Sequence, residues 1–231
     1  MVSRFFVLLL LTGVGAIFVS LMFGYVPDDA LNLTARYYAE NTVRDTGAAN
    51  IVAALVVTCR GLDTLGEVTV LFLTAAIVGL VLAGSQQGRL RREQPAPGEL
   101  LVTGTRLLVP LTLLLGVYVF VNGHLTPGGG FQGGAILASA ILMLLLADPL
   151  REFSHRLISV IESISGLLFV AVGLLGMVYA GGFLDNRILP LGTLGDLISA
   201  GAIPVIYSFI GLKVGAEFSS MMVNLSETEE P

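Results

Sequence analysis

Lys213 is the only lysine in this sequence of 231 residues, and it lies inside a long apolar segment. An ionisable group at that depth costs at least ~2.5 kcal/mol on insertion scales, so it needs a charged partner or an aqueous cavity. Glu217 follows four residues later, the spacing at which side chains on one helix face meet. The two residues form either a structural ion pair or part of a proton or cation relay. Gly211 and Gly215 flank Lys213 in a small-xxx-small pattern, which indicates that this face packs against another helix.

Glu162 is a second ionisable group near the start of an apolar segment, and Ser163 and Ser165 make its surroundings more polar. A carboxyl group that is desolvated there is suited to proton transfer. The alternative interpretation is a side chain that reaches back to the membrane boundary.

Asp63 and Glu67 lie four residues apart where another apolar run begins. Thr64 and Glu67 have the spacing of a capping box, and acids at a helix start are favoured by the helix dipole in any case. Glu67 is also followed directly by apolar residues, so an ion that enters or leaves the membrane there would meet its carboxylate. Both interpretations remain open at this stage.

A glycine-rich string begins at His124 and predicts a tight structural turn between two apolar segments. Its spacing formally fits G-x-G-x-x-G, but no strand precedes it and no acid follows at the expected distance, so we reject a dinucleotide site. Non-helical backbone at membrane depth persists only where it is buried in protein or lines a cavity. His124 is a candidate proton shuttle or a structural side chain. The predicted turn comprises Pro127, Gly128, Gly129, Gly130, Gln132, Gly133 and Gly134.

Composition places these groups in a membrane protein. Hydrophobic residues make up 55% of the chain and charged residues 13%, against about a quarter charged in soluble domains. Without a basic stripe or aromatic platform, nucleic-acid binding is not expected. The single cysteine excludes an internal disulfide and a cysteine-cluster metal site. No metal, cofactor or catalytic site of the chain's own is predicted.

Apolar runs predict an all-α, polytopic transmembrane fold of about seven spans. The arginines in the connections divide eight to three between the two sides, which predicts an outside amino terminus and a cytoplasmic carboxyl terminus with Glu227, Glu229 and Glu230. This orientation depends on the second span crossing. The predicted spans are 5–26, 46–59, 65–84, 104–122, 131–147, 157–181 and 197–223. The eight arginines are Arg36, Arg44, Arg89, Arg91, Arg92, Arg106, Arg151 and Arg156, opposite Arg4, Arg60 and Arg187.

A polar, arginine-rich and proline-containing segment separates the third span from the fourth. Such a composition is neither helix nor strand over its whole length. The chain is therefore predicted to consist of a three-helix unit (1–85), a cytoplasmic linker (86–103) and a four-helix unit (104–231).

Two motifs resemble known subunits. The string from His124 to Gly134, with Ser199-Ala200-Gly201 and Gly211-Leu212-Lys213-Val214-Gly215, closely resembles the MrpB protein of Mrp-type multisubunit sodium/proton antiporters over about 100–225. The segment from Asp45 to Glu67 resembles the carboxyl-terminal end of the MrpA protein over about 1–85. In membrane-bound hydrogenases and related sulfur reductases that end is a separate small subunit. The large ion-pumping domain of MrpA has no counterpart here.

The resemblance implies a membrane subunit of a cation/proton antiporter module in a prokaryotic inner membrane. The absence of the large MrpA domain favours a larger respiratory complex such as a membrane-bound hydrogenase, and a split Mrp antiporter is the alternative. The subunit's expected partners are other Mrp-type membrane subunits, a hydrogenase-like peripheral redox module, the lipid bilayer, and Na⁺ or H⁺. The resemblance places Glu67 and Lys213 in the ion pathway region and Glu162 less directly. The alternatives are a structural scaffold subunit and, third, a self-sufficient transporter, against which the absence of an inverted repeat argues.

Overall fold

The computed structural model describes residues 2–25, 30–85, 97–149, 151 and 153–228. Arg89, Arg91 and Arg92 of the predicted linker, and Glu229 and Glu230 near the carboxyl end, lie outside these residues. The chain forms two compact units, Met1–Tyr37 and Tyr38–Pro231.

The first unit contains helix α1 (Val2–Gly24) and the start of α2 (Leu33–Thr46). The apolar side chains of α1 are exposed along its length, as expected of a helix whose solvent is lipid. The hydroxyl of Thr12 in α1 is satisfied within the helix, because it donates to the Leu8 carbonyl at 2.8 Å. Asn32 caps α2 because its Oδ1 accepts from the Ala35 amide at 2.8 Å.

The second unit contains the end of α2 and six further helices. After α3, which begins with Ile51–Ala54 and continues as a π-helical turn over Leu55–Cys59, the chain forms four long helices and a single 3₁₀ turn before the last helix. These are α4 (Gly61–Ser85), α5 (Glu99–Val121), α6 (Gly130–Ala147), α7 (His155–Tyr179), the 3₁₀ turn Asn186–Ile188, and α8 (Ile203–Thr228).

Helix α8 lies at the centre of this unit and packs against α4, α5, α6 and α7. Its buried apolar side chains recur three and four residues apart, so they form one face that turns into the core. The core joins this face to Phe120 of α5, Phe169 of α7 and Val57 of α3. The α8 residues concerned are Ile203, Ile206, Tyr207, Ile210 and Val214.

Helix α6 lies between α5 and α8 at distances that only glycine permits. A Cβ on Gly133 would lie 2.7 Å from the Gly116 carbonyl oxygen of α5, and one on Gly134 would lie 2.7 Å from the Gly211 carbonyl oxygen of α8. The predicted glycine-rich turn is therefore shorter than expected. Only Pro127 to Gly129 lie before the helix, with φ of +155° at Gly129, while the residues from Gly130 onward form the first turns of α6.

Five of the described helices are long and apolar enough to cross a membrane: Arg4–Gly24, Gly61–Leu82, Glu99–Val121, Gly130–Ala147 and His155–Tyr179. Five predicted spans fall on them, although α5 begins at Glu99, inside the predicted linker. The predicted second span, 46–59, is wrong, because residues 47–50 are not helical and the nine helical residues that follow rise only about 13 Å. The predicted seventh span, 197–223, starts too early, since α8 begins at Ile203. Helix α8 is also not among the five helices that are long and apolar enough to cross a membrane.

The connections of the second unit gather at its two ends. At the end we call the loop end (46–60, 122–129 and 180–202), the Asn50 amide donates to the His124 carbonyl at 3.0 Å, and the Asn186 side chain donates to the Thr46 carbonyl at 2.7 Å. The opposite end, where α4 stops and α5 starts, is the linker end. Residues 46 and 60 thus share one end, and the prediction that separated Arg44 from Arg60 and Arg187 is wrong. The prediction that the amino terminus is outside depended on the same division of arginines, so it is no longer supported.

Candidate functional site

The lysine and glutamate of α8 form a buried ion pair. Lys213 Nζ lies 2.8 Å from Glu217 Oε1, across one helical turn. The Glu217 side chain is fully buried and that of Lys213 is 10% exposed. Desolvation of two charges is costly, so this geometry holds only while each partner neutralises the other.

Two neighbouring helices enclose the Lys213 ammonium. Its Nζ lies 4.9 Å from the ring centroid of Phe72 on α4, a distance at which a cation is attracted by the ring face. On the other side, a Cβ on Gly166 of α7 would lie 3.3–3.4 Å from the Lys213 Cδ, Cε and Nζ atoms. The lysine stem therefore lies directly over a stretch of α7 without a side chain.

The pair lies near the middle of the helices. Lys213 is ten residues after the start of α8, and Phe72 is eleven residues after the start of α4, which places both roughly 15 Å from the loop end. The hydrocarbon core of a bilayer is about 30 Å thick. The pair thus lies about half that thickness from the loop end, beside the middle of α4, which is one of the helices long and apolar enough to cross a membrane.

Glu162 of α7 adds a second carboxyl group. It is half-buried and acts electrostatically on Glu217. Glu162, Lys213 and Glu217 together comprise two acidic groups and one basic group, so the acids outnumber the base by one. Among the described residues, Glu217 Oε2 has no hydrogen-bond partner. We call Glu162, Lys213 and Glu217 the charged cluster.

The other two predicted acids lie apart from this cluster. Glu67 is exposed on α4, and Asp63 is exposed and pairs with Arg60, with 2.6 Å between Arg60 Nε and Asp63 Oδ2. The capping-box interpretation is wrong, because α4 already begins at Gly61 and the Thr64 hydroxyl donates to the Val56 carbonyl at 2.6 Å.

His124 is also separate from the cluster and is completely buried at the loop end. Its Nε2 lies 3.1 Å from the Ser199 hydroxyl, which itself donates to the Asp196 carbonyl at 2.6 Å. Ser199 therefore accepts, and the hydrogen-bond network assigns the ring proton to Nε2. Burial lowers the pKa of His124, so the imidazole is neutral near pH 7. These contacts favour a structural role.

Two asparagines that the sequence analysis did not single out hold the loop end together. Asn50 caps α3 and donates to the Gly123 carbonyl at 2.8 Å and the Thr126 carbonyl at 3.0 Å. Asn186 is fully buried and donates to Thr46 and also to Ala200 at 2.9 Å. Asn50 precedes an apolar run, which is a recognisable helix-start signal. No local pattern identifies Asn186, Phe72 or Gly166.

An ion pair closes the same loop. Asp185 binds the Arg187 guanidinium, with 2.9 Å between Arg187 Nε and Asp185 Oδ1. Burial on its own would raise the pKa of Asp185, but the hydrogen bonds and the positive charge of Arg187 outweigh it and lower that pKa. The pair stays ionised at neutral pH.

Known proteins resemble this chain in sequence and in fold. A family described as "Domain related to MnhB subunit of Na+/H+ antiporter" matches residues 100–220, and the MbhE family, a component of the MBH complex, matches residues 3–103. The B component of the Na⁺/H⁺ antiporter of Bacillus subtilis is 38% identical over 97 residues, covering 41% of this chain and 68% of that protein.

Two solved membrane complexes contain similar chains. A chain of the membrane-bound sulfane sulfur reductase, an archaeal respiratory membrane complex, is 39% identical with a TM-score of 0.80, covering 97% of this chain and 98% of that one. A chain of the Mrp complex from Dietzia sp. is 29% identical with a TM-score of 0.76, covering 97% of this chain and 26% of that one. With its five apolar helices, this chain is membrane-embedded, and it belongs to the family of MnhB-related subunits of Mrp-type antiporter modules, joined to an MbhE-like segment.

Proposed function

We propose that this chain is a membrane subunit of a cation/proton antiporter module and that its charged cluster lies on the path of the transported proton or Na⁺. The observation that carries the proposal is the ion pair of Lys213 with a fully buried Glu217, about halfway along α8. The second carboxylate oxygen of Glu217 has no hydrogen-bond partner in the described part of the chain. A buried ion pair is weak evidence for stability, and an ionisable residue inside a membrane is by default a candidate functional group.

We further propose that the module belongs to a redox-linked respiratory complex of a prokaryotic inner membrane, with a hydrogenase-like peripheral module among its partners. The match to the sulfane sulfur reductase chain supports this, because it extends over nearly the whole of both chains. In the Mrp complex, by contrast, the same fold corresponds to about a quarter of a longer chain.

The linker end is proposed to face the cytoplasm. Helices α4 and α8 run toward it, and six arginines lie in sequence at or between the helix ends there, whereas three belong to the loop end; this asymmetry supports the orientation. On this proposal α8 crosses the membrane as well. The division into units 1–85 and 104–231 about the linker remains a proposal supported by composition. The linker-end arginines are Arg89, Arg91, Arg92, Arg106, Arg151 and Arg156, against Arg44, Arg60 and Arg187.

A transport assay on the assembled complex tests the function. In vesicles, Lys213→Ala and Glu162→Ala should lose most Na⁺/H⁺ exchange while the complex still assembles. Glu67→Ala, an acid outside the charged cluster, is the matched control and should retain exchange. Normal exchange in both cluster variants would overturn the proposal.

A scaffold role is the second candidate, because the close glycine contacts of α6 and the asparagine hydrogen bonds at the loop end hold the helices and loops rigidly together. It predicts that the cluster variants either transport normally or fail to assemble. Assembly without transport separates the two functions.

A further inference from the structure

The charged and amide side chains of α8 all lie in the half of the helix that begins at Lys213. Lys213, Glu217, Ser220 and Asn224 follow one another at intervals of four, three and four residues, so they share one helix face. This face extends from mid-helix to the linker end, over about 16 Å.

The same face borders α4 and α7. At its mid-membrane end, Lys213 touches Phe72 and Gly166. At its linker end, a Cβ on Gly79 of α4 would lie 3.6 Å from Asn224 Nδ2. Ser220 and Asn224 are half-buried, so the face is neither open to lipid nor closed in a dry core.

The other half of α8 is mostly apolar, and its Ser208 hydroxyl donates to the Pro204 carbonyl of the same helix at 2.7 Å. Ile203, Ile206 and Ile210 are at most 1% exposed and pack with Val57 and Phe169. Such a core excludes water, because an apolar cavity stays dry even where space exists. Between the loop end and Lys213, α8 therefore offers a migrating ion no charged or amide side chain.

Glu217 indicates what fills the polar half. A buried carboxylate oxygen without a protein partner carries the full penalty of lost hydrogen bonds unless water supplies them. We propose that the α8 face of Lys213, Glu217, Ser220 and Asn224 lines a water-filled half-channel, open at the linker end and closed toward the loop end. This deepens the proposed function, on which it rests, by giving the charged cluster access from one side only.

Water access is tested by thiol labelling, which does not require transport. Cys59, the only cysteine, is exposed at the loop end, so variants are built on Cys59→Ser in the assembled complex. Asn224→Cys and Ser220→Cys should react with a small charged methanethiosulfonate added at the linker side. Val223→Cys is the matched control, since Val223 lies at the depth of Asn224 but is 1% exposed.

The expected result is labelling of both half-channel cysteines at least about tenfold faster than Val223→Cys or Ile206→Cys, because only a hydrated thiol ionises and reacts. The unmodified chain, labelled at Cys59 from the loop side, reports that the membrane is sealed. Equal rates at Asn224→Cys and Val223→Cys, or labelling of Ile206→Cys from the loop side, would overturn the half-channel. If the Ser220→Cys and Asn224→Cys variants exchange Na⁺ and H⁺ normally but are not labelled, the half-channel is refuted and the proposed function stands. If both cysteines are labelled but Lys213→Ala exchanges ions normally, the proposed function is refuted and the half-channel stands.

Discussion

Neutralising one partner of the α8 ion pair should destabilise the protein far more than neutralising both. In Lys213→Met the methionine side chain approximates the lysine stem, but Glu217 is left fully buried without the ammonium that neutralises it. Breaking a buried pair in this way costs about 3–5 kcal/mol, whereas an exposed pair would cost about 1 kcal/mol or less. Because the side chains of Lys213 and Glu217 are only 10% and 0% exposed, the cost for a buried pair applies.

The double variant Lys213→Met with Glu217→Gln removes the uncompensated charge, and replacement of buried pairs by neutral groups is often neutral in stability. The coupling between the two changes should therefore reach about 3 kcal/mol, the upper part of the range for contacting residues.

Thermal unfolding of the purified complex in detergent measures these differences. Each kcal/mol shifts the midpoint by about 2–4 °C for a chain of this size, so the single variant should unfold about 6–20 °C lower, and the double variant should recover most of that loss. Ion exchange should remain absent in both, since the charges themselves are missing. A single variant within about 2 °C of the parent, or a double variant no more stable than the single one, would refute a desolvated pair.

Three further changes test other contacts. Gly134→Ala should lower stability by about 1–3 kcal/mol, because its Cβ would meet the α8 backbone. Gly104→Ala is the control, since its Cβ would meet nothing within 4 Å, and it should leave stability unchanged. The thermal unfolding midpoints of the two variants measure the difference. Because burial lowers the pKa of His124 below its unfolded value of about 6.5, its stabilising contribution is complete above that pH and decreases as the pH falls below it. His124→Gln should remove this part of the pH dependence in melts between about pH 7.5 and 5. Asn186→Ala deletes two buried hydrogen bonds and should cost about 2–4 kcal/mol, visible as faster amide hydrogen exchange in 46–60 and 180–202; unchanged exchange would contradict it.

Membrane residence and the α8 ion pair could both be predicted from the sequence. Long apolar runs identify the helices that cross, because lipid demands about 20 apolar residues per span whatever the neighbours are. Lys213 and Glu217 could be paired because helical spacing brings residues four apart together without any tertiary information. The family motif was equally local, because the string from His124 to Gly134 is contiguous in the sequence.

The error at span 46–59 has a different origin. Its apolar composition satisfies a hydropathy argument, but Asn50 starts a short new helix by capping it, and the π-helical turn ends it at Cys59. The segment is apolar because Ala53, Ala54 and Val57 pack against the protein core. Composition does not distinguish burial in protein from burial in lipid.

Only the tertiary structure decided which of the scarce charges act together. Asp63, Glu67 and His124 looked as suitable as Glu162 in sequence, yet only Glu162 comes near the α8 pair. Likewise, Phe72 and Gly166 enclose the lysine although nothing in their local sequence marks them, since their contact depends on how α4 and α7 meet α8. Spacing along one helix is set by covalent geometry, whereas contacts between helices are set by packing over the whole unit, which a local pattern does not contain.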